Sequence, residues 1–404
     1  MLDLLDERQQ RLTNHLQEML NEHLPELDRM DETDEFSWPM AERLWEAGVL
    51  SLMLPPEHGG DPRITSLCCA VETIARFSGG LALLAVVQGT GTLPVMLMGN
   101  AGQRERYARS ISGRRCIAFA LSETRAGSDA RSIDTRIVDK GDHFEVSGSK
   151  WFVTNGGIAE HYVIFGRRMQ DGEEQGYTTV VIDKGTPGFT ITPKNDLFGM
   201  RGTPTTSLIM RRVKVPRENE LAGDGGDGDG FKLAMRTLDR SRPAIGAQAV
   251  GLAQAALDIT VNHCRKRQVF GKALGKLDGV KMMLADMSVA IDASRLLVSR
   301  AAHAVDANHP DATQFSAGAK FFATDTAMKV SVDAIQLMGG YGCFRGRTLD
   351  RIMRDAKITQ IYEGANQIQR LVVGRDLLAR KHRTSHVLGR EDKHSAELLA
   401  VGER

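Results

Sequence analysis

A chain of 404 residues exceeds what one hydrophobic core usually fills and suits two or three domains. With 42% hydrophobic, 25% charged and 5% aromatic residues, its composition is that of a soluble globular protein, which excludes collagen, a coiled-coil rod and wholesale disorder. The formal charge of +1 argues against a nucleic-acid partner held by a sequence-wide positive field, yet residues 1–60 carry 14 acidic against 4 basic side chains.

In chain order, apolar residues recur three and four apart over residues 40–50, 65–77 and 81–98, which predicts helices. Pro55-Pro56 and His58-Gly59-Gly60 break them, Asn100-Ala101-Gly102 ends the last of them before a short basic helix, and Ser112-Gly113 marks a change of period. An N-terminal helical domain over 1–115 follows from this pattern. From Cys116 to Val215 the period shortens. Residues 133–138 and 143–147 form a predicted hairpin around Lys140-Gly141, and 162–165 and 177–182 read as strands joined by an exposed loop. A middle β-domain of small sheets or a barrel is expected over 116–225. The Gly- and Asp-rich run 222–230 reads as a flexible hinge or surface loop. Helical periodicity returns after Phe231, with Ala-rich stretches at 244–264, 280–304 and 313–338, and predicts a bundle over 226–382. Residues 383–404 form a polar tail expected to be disordered. The fold class is therefore α+β.

The five cysteines, Cys68, Cys69, Cys116, Cys264 and Cys343, are odd in number and lack C-x-x-C spacing, so neither a disulfide framework nor a zinc site is signalled. A cytoplasmic protein is expected. The acidic start, without a basic and then apolar leader, and the lack of a long apolar run predict no membrane insertion.

Gly223, Gly225 and Gly228 match G-x-G-x-x-G, but Asp224, Asp227 and Asp229 would repel a pyrophosphate and no βαβ unit surrounds them. The same acids fail as a calcium loop, because Met235 or Leu238 falls at the twelfth position. No G-x-S-x-G or H-E-x-x-H occurs and the histidines are scattered, so no metal site and no hydrolase nucleophile are expected.

Three segments remain. Residues 119–129, Phe-Ala-Leu-Ser-Glu-Thr-Arg-Ala-Gly-Ser-Asp, could wrap a ligand with N–H groups and hydroxyls, although spacing alone favours an ordinary loop. Residues 150–157, Lys-Trp-Phe-Val-Thr-Asn-Gly-Gly, could set a planar ring against Phe152 with Thr154 at its edge, although taken alone the segment favours a plain strand edge. In residues 355–370, Glu363 precedes Gly364 at an apparent helix start. It would serve as a base if an apolar pocket enclosed it, and otherwise it only complements a helix dipole.

Together with Pro55-Pro56-Glu57-His58-Gly59-Gly60, Arg267-Gln268-Val269-Phe270-Gly271 and Gln336-Leu337-Met338-Gly339-Gly340, these segments resemble the acyl-CoA dehydrogenase family over nearly the whole chain. The resemblance implies a C-terminal four-helix bundle, FAD as cofactor, an acyl-CoA substrate, a homotetramer built as a dimer of dimers, and an electron-transferring flavoprotein as acceptor. It makes Glu363 the base that removes the α-proton while the β-hydrogen leaves as hydride to flavin N5. It places Phe119, Leu121, Ser122, Phe152 and Thr154 on the flavin. Arg267, Phe270, Gln336, Gly339, Gly340 and Gln367 it gives to the remaining cofactor contacts, several of them to a neighbouring subunit's FAD. Ser128, Asp239, Arg242 and Gly364 fall on the substrate side. Arg242 and Arg267 are thereby expected near the phosphates of CoA and FAD. Some members carry the base on the helix after the hinge, where this chain has Ser241.

Thr124 and Arg125 depart from the family pattern where a stiff turn is usual, as do Ala365 where a hydroxyl is commoner and Gly279 and Lys281 where Gln is frequent. Residues 81–97 should line the acyl pocket and carry no charge, with Ala82 where a dicarboxylic substrate would want Arg, so an apolar acyl chain is expected. Gly89, Thr90 and Gly91 could deepen that pocket or kink the helix. An acyl-CoA oxidase or a carrier-protein-linked desaturase on the same scaffold is the alternative, separable by peroxide release and by activity on carrier-tethered thioesters.

Overall fold

The computed structural model describes residues 5–223, 229–346 and 348–379. The tail from 383 and most of the Gly/Asp run lie outside the described residues. Asp229, the described end of that run, caps the following helix, its carboxylate accepting from the N–H groups of Phe231 and Lys232.

Six helices come first: α1 (Glu7–Glu22), α2 (Leu24–Thr33), α3 (Trp38–Glu46), α4 (Ile64–Ala75), α5 (Gly79–Met98) and α6 (Ala101–Ser112). Asn100 and Gln103 form a capping box that starts α6 at the predicted break. A mixed seven-stranded sheet follows, made of β1 (Cys116–Ala120), β2 (Arg136–Asp139), β3 (His143–Thr154), β4 (Ala159–Gln170), β5 (Glu173–Asp183), β6 (Phe189–Ile191) and β7 (Thr205–Pro216). One edge of β4 pairs in parallel first with β1 and then with β2, and its other edge pairs antiparallel with β5. The predicted hairpin is the β2–β3 pair. The exposed loop expected between the next two strands is instead ladder, for the β4–β5 pairing runs on to Gln170 and Glu173 and leaves only a tight turn.

The C-terminal part contains α7 (Gly230–Lys266), a small hairpin of β8 (Gln268–Val269) and β9 (Lys272–Ala273), α8 (Asp278–Asp306), α9 (Ala312–Met338), α10 (Thr348–Thr359) and α11 (Asn366–Ala379). Helix α7 packs on α8 and α9 and also on α4 and α5, so one hydrophobic core joins the two helical regions. Helices α5 and α7 are long and apolar enough to cross a membrane, contrary to the expectation that no such segment exists. Most of each apolar window, 83% and 78%, is buried against the rest of the fold, as a core helix requires.

The acidic head is paired within the chain. Asp28 and Asp31 of α2 bridge Arg351 and Arg354 of α10 at 2.8 and 3.0 Å, and Asp34 meets Lys194 at 2.8 Å. Part of the basic remainder thus neutralises the head.

Candidate active site

Glu363 lies in the turn between α10 and α11, three residues before α11 begins and not in its first turn. Its backbone is left-handed (φ 55°), as is that of Gly364 (φ 93°). The left-handed backbone favours glycine at 364, where an added Cβ would also push the end of the Gln369 side chain aside. The Glu363 carboxyl is enclosed. Ser241 of α7 donates to Oε2, and Thr90 of α5 lies 3.5 Å from Oε1. Burial pushes the carboxyl above its ordinary value, while the Ser241 hydroxyl, Arg242, Lys320 and the Thr90 hydroxyl pull it back. Among the described residues the Glu363 N–H has no hydrogen-bond partner, which leaves a donor beside the carboxyl.

The expected flavin-side residues come together on β1 and β3. The Ser122 carbonyl accepts from the Trp151 N–H at 2.9 Å, and Phe119 packs against Phe165 with ring centroids 4.8 Å apart. Phe152 stands on a β-bulge with φ 57° and is 64% exposed, an unusual position for a large aromatic ring. Thr154 beside it shares a 3.1 Å contact with Thr205. Buried Lys150 ties the two segments, donating to the Leu121 carbonyl at 3.0 Å and to Glu123 at 2.7 Å. Thr124 and Arg125 still form a tight turn without proline, closed by reciprocal N–H···O bonds between Glu123 and Ala126.

Arg267, Gln336, Gly339 and Gly340 line one open groove of about 640 Å³ with His263 and Tyr341. Phe270 projects from the hairpin nearby, 92% exposed, and Gln367 is exposed at the start of α11. None of the flavin-side residues lines this groove.

The substrate-side residues divide. Ser128 is exposed, whereas Arg242 is 5% exposed, pairs with Asp239 and donates through Nε to the Glu363 carbonyl at 3.3 Å. The Arg242 guanidinium is thereby committed to the turn that bears Glu363. Asp239 also accepts from Thr313 at 2.7 Å. Gly89 and Gly91 do not open a pocket, for Cβ atoms there would press on Leu67 and Met53 and on Ile117. Both serve close packing of α5, and Thr90 between them faces the carboxyl.

Sequence reasoning missed Lys320, Thr324, Asp325 and Asn366, which surround the turn from α9 and α11. A single lysine in the run Ala317-Gly318-Ala319-Lys320-Phe321-Phe322-Ala323 was the available signal. The described residues hold no cluster of three His, Cys, Asp or Glu side chains suited to a metal.

Comparison with known proteins agrees with this layout. Models of the N-terminal, middle and C-terminal domains of acyl-CoA dehydrogenase match residues 6–113, 118–213 and 228–378. The chain is 39% identical over 357 residues to a cyclohexane-1-carbonyl-CoA dehydrogenase of Geobacter metallireducens, spanning 88% of this chain and 93% of that one. Butyryl-CoA dehydrogenase from Megasphaera elsdenii has a similar structure, with a TM-score of 0.88, 35% identity, and coverage of 93% and 99% of the two chains. A chain from a structure described as the electron transferring flavoprotein of Acidaminococcus fermentans superposes with a TM-score of 0.87 at 35% identity, covering 93% and 99%. An acyl-CoA dehydrogenase from Bacillus anthracis complexed with FAD gives a TM-score of 0.85 at 26% identity, covering 93% and 67%. The chain belongs to the acyl-CoA dehydrogenase family and is an oxidoreductase of that class.

Proposed function

We propose that this protein desaturates an apolar acyl-CoA thioester between its α and β carbons, with Glu363 as the base. The observation that carries this is an enclosed carboxyl, raised by burial, held between hydroxyls from α5 and α7 on a left-handed turn. Such a group takes a proton near neutrality more readily than an exposed glutamate. The α C–H bond breaks toward the Glu363 carboxylate and its electron pair becomes the new double bond. The Glu363 N–H offers a donor to the thioester oxygen as charge develops there. Helix α5, uncharged throughout, suits an apolar acyl group.

The donor set of β1 and β3 fits FAD. Phe119 and Phe152 supply ring contacts, and the half-buried Ser122 and Thr154 supply hydroxyls. When bound, FAD supplies the hydride acceptor. The groove at Arg267, Gln336, Gly339 and Gly340 would hold the adenine end of a second chain's FAD, since no flavin-side residue reaches it. Such sharing needs at least two copies of the chain, which the proposed homotetramer provides, and electrons pass to an electron-transferring flavoprotein; the Acidaminococcus neighbour supports that acceptor.

The test is an anaerobic titration of the purified protein with a panel of acyl-CoAs, read by loss of flavin absorbance. Bleaching by one or more apolar acyl-CoAs is expected. No bleaching by any of them, with bleaching by a carrier-tethered thioester, would overturn the CoA assignment.

A further inference from the structure

The turn bearing Glu363 is held from behind by buried polar side chains of α9. Lys320 is completely buried, and its ammonium donates to the Gly364 carbonyl at 3.0 Å and to Asn366 Oδ1 at 2.9 Å. Asn366, the first residue of α11, donates to Thr324 Oγ1 at 2.8 Å and to Asp325 Oδ1 at 2.7 Å. Asp325 further accepts from Gln360 and Arg370, both at 2.6 Å. Lys320 and Thr324, four positions apart, share one face of α9, and Asp325 stands beside that face, so the three reach both ends of the turn. From α7, Arg242 holds the Glu363 carbonyl. Two cations therefore grip consecutive carbonyls of the turn.

Such a grip has a physical purpose. A glutamate in the left-handed region is strained and stays there only where the surroundings over-determine it. An ammonium buried in an alanine-rich helix is costly in its own right, and an apolar side chain would fill the space without that penalty. Glu363 is faced by Lys320 from α9, Arg242 and Ser241 from α7, Thr90 from α5 and Tyr362 on its own turn. Lys320 is faced by Glu363, Arg242 and Asp325.

We infer that Lys320 is a positioning residue for α-proton abstraction, fixing the Glu363–Gly364 turn through its carbonyl and setting a positive charge beside the base. The inference rests on Glu363 being the base. Burial lowers the Lys320 ammonium to about 7, so the positive charge beside the base is lost as pH rises through neutrality.

The experiment compares FAD-loaded wild type with Lys320→Met, which fills the space, and Lys320→Gln, which keeps a donor without charge. The rate of flavin reduction by a bleaching acyl-CoA is followed against pH. For Lys320→Met we expect a fall of about tenfold or more in the maximal rate, with the substrate concentration for half-maximal rate changed less than about threefold. The rising limb of the pH profile should move to higher pH, because the carboxylate loses a stabilising cation. Lys320→Gln should recover part of the rate but keep the displaced limb. An unchanged limb in both variants overturns the proposal, and so does failure of both to retain FAD, which would make Lys320 purely structural. Glu363→Gln, run alongside, separates the cases: if that variant still reduces flavin, the base is wrong, whatever Lys320 does.

Discussion

Glu363 acquires its chemistry from its neighbours. Burial favours the neutral acid, and the Ser241 hydroxyl is the foremost opposing contact. Removing it in Ser241→Ala takes away a bond that favours the carboxylate, so the carboxyl should rise further. The base must be unprotonated to act, hence the rate should fall more at about pH 6 than at about pH 8. Stopped-flow flavin reduction across that range checks this, and an equal loss at both pH values would contradict it. Glu363 was legible as the candidate base because Tyr362-Glu363-Gly364 stands in the segment that carries the family resemblance. Its support was not. Lys320 reads in sequence as an isolated charge on an alanine-rich helix, and only the arrival of the α10–α11 turn shows that it is enclosed. The setting of Arg242 was hidden for the same reason, since a sequence gives its charge but not the Asp239 and Glu363 contacts that hold it.

At the scale of elements, periodicity located α4, α5, α8 and α9 closely, because each buries one or more faces on the common core. Strand lengths were less legible. The residues between the two predicted strands of the β4–β5 hairpin are polar and Gly-containing, and cross-strand hydrogen bonding, not local composition, makes them strand. Helix α10 carries a second buried acid. Asp355 accepts from the Met200 N–H, and burial pushes its carboxyl up to about 6 from 3.8. A pKa raised on folding contributes stability that is fully present below about pH 4 and is lost as pH rises through about 6. Asp355→Asn keeps an acceptor for Met200 and removes the ionisation. Its thermal midpoint relative to wild type should therefore be highest at about pH 7 and should drop toward about pH 5. A constant difference between the two proteins over that range would show that Asp355 does not titrate there.

At the scale of the whole molecule, the uneven charge has two uses. Ion pairs from α2 to α10 bind the acidic head to the C-terminal region, and Arg267 remains exposed at the groove. Helix α8 shows Met282, Val289 and Leu296 at 69%, 69% and 59% exposure, seven residues apart on one face. A stripe of that kind suits contact with further copies of the chain. Val289→Asp should therefore reduce the assembly, seen by light scattering as a lower mass than wild type, whereas a wild-type protein that scatters as a single chain would refute the tetramer. The α8 stripe was not visible from composition, since its three residues are spread through an otherwise ordinary amphipathic pattern.

The central claim is that the enclosed carboxyl of Glu363 takes the α-proton. It is tested most directly by mixing FAD-loaded Glu363→Gln anaerobically with an acyl-CoA that bleaches the wild-type flavin. The expected result is a yellow protein that binds the thioester and does not bleach. Bleaching at a rate near that of wild type would contradict the account.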